Sequence, residues 1–159
     1  MLKQIFPDAL FIHLVRHPGE FVRSGIDRNY YSRSSADDYK RIEPVSGPYG
    51  DQWESMNQIG KTAWLWKETN RFIKEFLNTL SADQYRVFNF NQLNDDNIQQ
   101  ILRFIGSEIP QKKVVRLIPK KMNAQRTHQM KSFNSWDEKE KGIVEEITGD
   151  MAGFYGYTI

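Results

Sequence analysis

Apolar residues run almost unbroken from Ala9 to Val15, interrupted only by His13, and Arg16, Pro18 and Gly19 follow. A short apolar run closed by turn residues predicts a buried strand, then a turn. His13 alternates into that strand and reads as structural; His17 helps to shape the turn. Pro18 suits the first turn of a helix, where its missing N–H is not needed. Phe21, Val22 and Ile26 supply part of that helix's apolar face. Between residues 53 and 80, Ile59, Ala63, Trp66, Ile73, Leu77 and Leu80 recur at three- and four-residue steps, with Asn70 in their midst. Leu65, Phe72 and Phe76 widen the stripe, and this is the clearest helix of the chain. Trp64 and Trp66 suit its core face better than a stacking platform for sugars or bases, because aromatics at helical spacing usually point inward.

Residues 85–90 form a second strand of high β propensity. Asn94 or Asp95 caps the next helix, Ile98, Ile101, Leu102 and Ile105 are its core face, and Gly106 ends it at the C′ position. Ser135 and Glu138 read as a capping box for a last helix that carries Ile143, Val144 and Ile147 and stops near Gly149. Residues 153–157 make an aromatic tail that docks on the body. Residues 32–52 are polar at first and then punctuated by Pro44, Gly47, Pro48 and Gly50. This is a long loop with a short helix near 36–42; loops of that length are often functional, the alternative being a mobile insertion. The order is strand, helix, long loop, helix, strand, helix. A right-handed crossover makes the two strands parallel. The pattern therefore predicts an α/β fold, a parallel sheet flanked by helices, in one domain spanning residues 1–159 without internal repeats.

Composition narrows the classes. Of the 159 residues, 26% are charged and 39% hydrophobic, ordinary values for a soluble globular chain. Aromatics reach 13%, so much of the core is Phe, Tyr and Trp. The net charge of +2 is too small to argue by itself for nucleic acid or membrane. The absence of cysteine excludes disulfides, thiolate catalysis and Cys-based metal sites, and it fits a cytoplasmic location. No apolar run approaches the ~20 residues of a membrane span. The first seven residues are too polar for a signal peptide. Locally the picture changes: residues 109–136 contain no acid, while Lys112, Lys113, Arg116, Lys120, Lys121, Arg126 and Lys131 fall among them. The span reads either as a solvated basic surface or as an anion-binding flap. Without an aromatic-basic array, nucleic acid is disfavoured.

The chemistry is sparse. His13, His17 and His128 show no metal-ligand spacing, so no metal is expected. His128 lies among the basic residues, where it is weak evidence for an anion contact. Gly-x-Ser-x-Gly, Gly-x-Gly-x-x-Gly and Gly-x-x-x-x-Gly-Lys-Ser/Thr are all absent. What remains is Arg16 at a strand end and Ser24 eight residues later, about two turns into the next helix. In open α/β sheets ligands bind beyond the carboxyl ends of the strands. A guanidinium is a planar, permanently charged fork for phosphate or sulfate. An arginine and a hydroxyl so placed can share one anionic group.

Read together, these stretches resemble a known family. The segment Pro7-Asp8-Ala9-Leu10-Phe11-Ile12-His13-Leu14-Val15-Arg16-His17-Pro18-Gly19-Glu20-Phe21-Val22-Arg23-Ser24-Gly25 resembles the 3′-phosphate-binding segment of the sulfotransferases, which use PAPS (3′-phosphoadenosine 5′-phosphosulfate) as sulfuryl donor. There a strand ends in Arg-x-Pro and a serine follows eight residues after the arginine. Trp66-Lys67-Glu68-Thr69-Asn70-Arg71-Phe72-Ile73 is similar to a helix of bacterial and glycan-type members. Tyr85-Arg86-Val87-Phe88-Asn89-Phe90-Asn91-Gln92-Leu93 falls where the family has a strand ending in Tyr/Phe-Glu-Asp-Leu, with amides here in place of the acids. Phe104-Ile105-Gly106 matches a Phe-Leu-Gly helix end, and the Trp-led last helix ending in Gly-Tyr also fits.

The resemblance implies a P-loop NTPase-like sulfotransferase fold that lacks its N-terminal P-loop strand and helix, hence a truncated domain or one completed by something outside the chain. It implies Arg16, Ser24 and Phe90 in the cofactor site, with Lys121 and Arg126 closing over the 3′-phosphate. The function implied is transfer of a sulfuryl group from PAPS to a hydroxyl acceptor, of carbohydrate type. No catalytic base stands out. The alternative is a non-catalytic module that keeps the nucleotide- or glycan-binding surface. Neither reading needs a membrane or nucleic-acid partner, and both are compatible with a homo-oligomer.

Overall fold

The first strand is β1 (Phe11–Val15), and it pairs in parallel with β2 (Tyr85–Asn89), from Phe11 opposite Tyr85 to Val15 opposite Asn89. The computed structural model describes residues 2–32, 41–107 and 130–159. Its helices are α1 (Leu2–Ile5), α2 (Pro18–Asp27), α3 (Gly47–Gln52), α4 (Gln58–Leu77), α5 (Asp95–Phe104) and α6 (Glu138–Phe154). The fold is α/β, with a two-stranded parallel sheet among the described residues. Contacts divide the described residues into two units, one holding residues 2–16 and 73–107, the other residues 17–32, 41–72 and 130–159.

The first unit is built on the strand pair. Paired residues of neighbouring strands share a face. On one face His13 and Val15 are buried, and Phe11 meets Phe76 of α4 edge to face at 5.0 Å. On the other face Ile12 is 37% and Leu14 45% exposed. The apolar run is therefore a half-buried strand rather than one buried on both sides. That second face carries Arg86, whose guanidinium lies 4.6 Å from the centre of the Phe104 ring of α5. Asn94 caps α5, its Oδ1 accepting the Asn97 N–H at 2.9 Å. At the other end Gly106 takes φ +72°, and the Ser107 and Gly106 amides close back on Leu102 and Arg103, a Schellman stop. Ile105 departs from the expected core face and is 47% exposed, because it is the cap residue at which the chain leaves the helix.

The second unit has an aromatic core of Val22, Tyr31, Trp53, Ala63, Trp64, Phe133, Trp136, Val144 and Ile147. Trp66 is 1% exposed, so the tryptophans of α4 face inward as their spacing predicts. Phe72 does not: it is 68% exposed. Six residues past Trp66 at about 100° each, it is turned well away from the stripe. Asn70 stays in the stripe because Nδ2 donates to the Trp66 carbonyl at 2.7 Å, which meets the cost of burying the amide. Its own carbonyl accepts the Tyr155 hydroxyl at 3.5 Å, and burial pushes that phenol's pKa up.

The expected helix near 36–42 falls largely outside the described residues; the described part of the loop carries α3, and a 3-10 turn at Trp53–Ser55 follows it. Two boundaries differ from the sequence pattern. The last helix is capped not by Ser135 but by Asp137, which with Glu140 forms the capping box. Ser135 is spent in a 3-10 turn, Phe133–Ser135, whose Phe133 ring is drawn into the core together with Trp136 just after it. Finally α6 runs past Gly149 to Phe154, since a helical glycine costs only about 1 kcal/mol when the flanking face is buried.

Candidate functional site

The last register pair of the sheet is Val15 and Asn89. Arg16 and Phe90 are the next residues along each strand, so both leave the sheet at its carboxyl end on neighbouring strands, ~5 Å apart by strand spacing. Arg16 is half-buried, and Phe90 is 52% exposed where it opens a 3-10 turn through Gln92. Arg16 and Phe90 thus follow the last paired residues of neighbouring strands within the first unit, and it is beyond this end of a parallel sheet that ligands commonly bind.

Ser24 belongs to the second unit, on α2. That helix starts as its sequence dictates. His17 is the cap: Nδ1 accepts the Gly19 N–H at 3.2 Å, and Nε2 lies 3.0 Å from the Thr158 carbonyl. The two bonds define one tautomer, with the proton on Nε2. His17 therefore starts α2 and ties down the C-terminal tail, whose Tyr157 ring is 5.3 Å away. At the other end Asn29 adopts φ +57° and the Tyr30 and Asn29 amides return to Gly25 and Ile26. Buried Gly25 allows a close approach: a Cβ there would lie 2.6 Å from Cγ2 of Thr62 on α4.

On α2 the Ser24 hydroxyl accepts a hydrogen bond from Nη1 of Arg28, which also donates to the Ser24 carbonyl at 3.2 Å. A guanidinium thus stands beside the hydroxyl that the sequence singles out. Arg28 is exposed, one helical turn on from Ser24. In the sequence its only mark is the four-residue spacing that places both side chains on one face of the helix. Arg23, in contrast, is bound to Glu20 at 2.8 Å.

Two carboxylates of α2 hold the described end of the basic span. Buried Asp27 accepts the Met130 N–H at 3.0 Å, and Glu20 accepts the Phe133 N–H at 3.2 Å. They are seven residues apart, two turns along the helix, so residues 130–133 are laid along it. This anchor is invisible in sequence, since it joins side chains to backbone across more than a hundred residues. Lys121 and Arg126, expected to close over a phosphate, lie outside the described residues, as does His128. Among the described residues no group of three or more His, Cys, Asp or Glu is placed to hold a metal.

His17→Ala is expected to cost about 1–2 kcal/mol, the usual range for losing a helix cap, with the tail bond lost as well. Urea unfolding measures it, and an unchanged midpoint would show that neither bond contributes. Chemically, the Ser24–Arg28 pair of the second unit sets a permanent cation beside a hydroxyl, which suits an anion, and Arg16 is a further permanent cation in the first unit. Compared with models of known families, with curated proteins and with solved structures, the chain finds no match.

Proposed function

We propose that this chain is a sulfotransferase-family protein of P-loop NTPase-like fold, that it binds PAPS, and that it serves sulfuryl transfer to a hydroxyl of a carbohydrate. The observation that carries this reading is the exit of Arg16 and Phe90 side by side from the carboxyl end of a parallel pair, with a proline-led helix bearing Ser24 next in the chain. In this reading the 3′-phosphate takes Arg16 and the Ser24 hydroxyl, and Arg28 adds a second guanidinium beside that hydroxyl. Phe90 offers a ring to the adenine. In the reaction the acceptor oxygen attacks sulfur, the S–O bond to the 5′-phosphate breaks, PAP (the desulfated nucleotide) leaves, and the acceptor proton passes to a base.

Calorimetric titration with PAP tests the site. Wild type is expected to bind saturably. Arg16→Ala is expected to bind about tenfold to a hundredfold more weakly, since hydrogen bonds to charged groups contribute ~1.5–3 kcal/mol and each 1.4 kcal/mol is tenfold. Equal affinity of wild type and Arg16→Ala would remove the site. Transfer of labelled sulfate from PAPS to carbohydrate acceptors separates an enzyme from a module that only binds.

A further inference from the structure

Within the second unit, the segment after Arg41 and one face of α4 enclose an open cleft of about 330 Å³. Its lining includes Glu43, Val45, Pro48 and Tyr49 from the segment and Trp64 and Glu68 from α4. The volume sits at the low end of the ~300–1,000 Å³ typical of small-molecule sites.

The walls are held in place before any ligand arrives. The Tyr31 hydroxyl donates to the Ile42 carbonyl at 2.5 Å, and the Arg41 guanidinium lies 3.9 Å from the centre of the Tyr30 ring. Proline at 44 and 48 restricts the backbone between them. The segment folds back on itself, a Cβ at Gly50 falling in ordinary van der Waals contact with the Val45 carbonyl carbon at 3.5 Å. On the opposite wall Trp64 is locked in the core, 5.2 Å from Trp53, and Glu68 is fixed by Arg71 at 2.8 Å. Tyr49 packs against the core and carries Lys67 Nζ 5.4 Å from its ring centre.

The chemistry of this lining selects its ligand. Among the described residues the lining holds the carboxylates of Glu43 and of Glu68, the latter paired with Arg71, and no basic side chain, so the cleft offers phosphate or sulfate no cation and does not suit the nucleotide. Carboxylates accept hydrogen bonds from hydroxyls, two lone-pair-bearing oxygens each. Aromatic and proline faces cover C–H surface. Val45, 99% exposed, adds a bare aliphatic rim. A small ligand with an apolar flat side and a ring of hydroxyls meets every one of these features. We infer that the cleft between residues 42–49 and α4 is a binding site for a neutral sugar ring, with Glu43 and Glu68 taking its hydroxyls and Tyr49 its C–H face. That this sugar is the sulfuryl acceptor rests on the PAPS reading above; the binding itself does not.

Saturation-transfer NMR on the whole chain, without nucleotide, tests the inference with cellotriose and chitotriose as probes and a sulfated heparin tetrasaccharide as the anionic comparison. A neutral trisaccharide is expected to bind saturably and more tightly than the sulfated probe. Glu43 is exposed and Glu68 is partly buried, and both isosteric changes, Glu43→Gln and Glu68→Gln, are expected to keep the wild-type circular dichroism while weakening binding at least fivefold. Absence of saturable binding to either neutral probe, indifference to both substitutions, or tighter binding of the sulfated probe would overturn the site. Sugar binding with a silent PAP titration would sink the nucleotide reading and leave the cleft standing; PAP binding without sugar would do the reverse.

Discussion

Trp53→Ala is expected to be the most damaging single substitution, at about 3–5 kcal/mol, the range for removing a buried Trp or Phe. A domain of this size has only about 5–15 kcal/mol in total, so urea unfolding should show a much lower midpoint with an unchanged far-UV spectrum in water. The reason is position. Trp53 is 5% exposed, and its ring meets Tyr31 at 5.2 Å and Trp64 at 5.2 Å, both edge to face. Such pairs contribute ~0.5–1.5 kcal/mol beyond burial. Lys61 Nζ lies 5.0 Å from the same ring. Tyr31 also holds φ +52°, a conformation costly for a bulky residue. Its ring contact with Trp53 is part of what offsets that cost. Trp53→Phe should recover much of the loss. If Trp53→Ala costs under about 1 kcal/mol, on the scale of a surface change, the ring is not the keystone of this core.

Gly19→Ala is the second, and here the sign is the point. Helix propensity alone favours alanine over glycine by about 1 kcal/mol. Yet a Cβ at position 19 would lie 2.3, 2.4 and 2.5 Å from three atoms of the Phe133 ring. That ring is 4% exposed and flanked by His17 at 5.3 Å and Trp136 at 5.2 Å, so it cannot step aside. Overpacking of this kind costs ~1–3 kcal/mol, occasionally more, and should outweigh the propensity gain. Gly142 is the control. It too is helical, on α6, but a Cβ there would meet nothing within 4 Å. Gly142→Ala should therefore stabilise by roughly 0.5–1 kcal/mol. Thermal unfolding of the two variants should move in opposite directions. A shift in the same direction would mean that Phe133 does not seat on Gly19.

The contrast between those glycines shows how far a sequence can be read. Both are helical glycines, Gly19 beside the proline that starts α2 and Gly142 within α6, and nothing in the neighbouring residues says which one another ring will cover. Only the arrival of Phe133, more than a hundred residues later in the chain, makes one obligatory. By contrast, the two strands as elements, the cap at Asn94 and the stop at Gly106 follow from short-range rules that a single segment carries in itself, and the parallel direction from the crossover between the strands. The shifted cap at Asp137 does not. Ser135 and Glu138 satisfy the capping pattern equally well, and the choice falls to the burial of Phe133 and Trp136, which pulls Ser135 into a turn.

The candidate site divides along the same line. Arg16 at the end of a strand, Ser24 on the next helix and Phe90 after the second strand are placed by local sequence: apolar run, proline, apolar run. The pairing of Ser24 with Arg28 is local as well, since one helical turn brings the two together. What tertiary structure alone decided is how the wall residues assemble: Asp27 and Glu20 against the backbone of residues 130–133, and Tyr49 with Trp64 around a cleft. Elements form because each residue's backbone and near neighbours favour them. Which faces meet, and which stay open like Ile12 and Leu14, depends on surfaces distant in sequence excluding water from one another, and that free energy belongs to no single stretch of the chain.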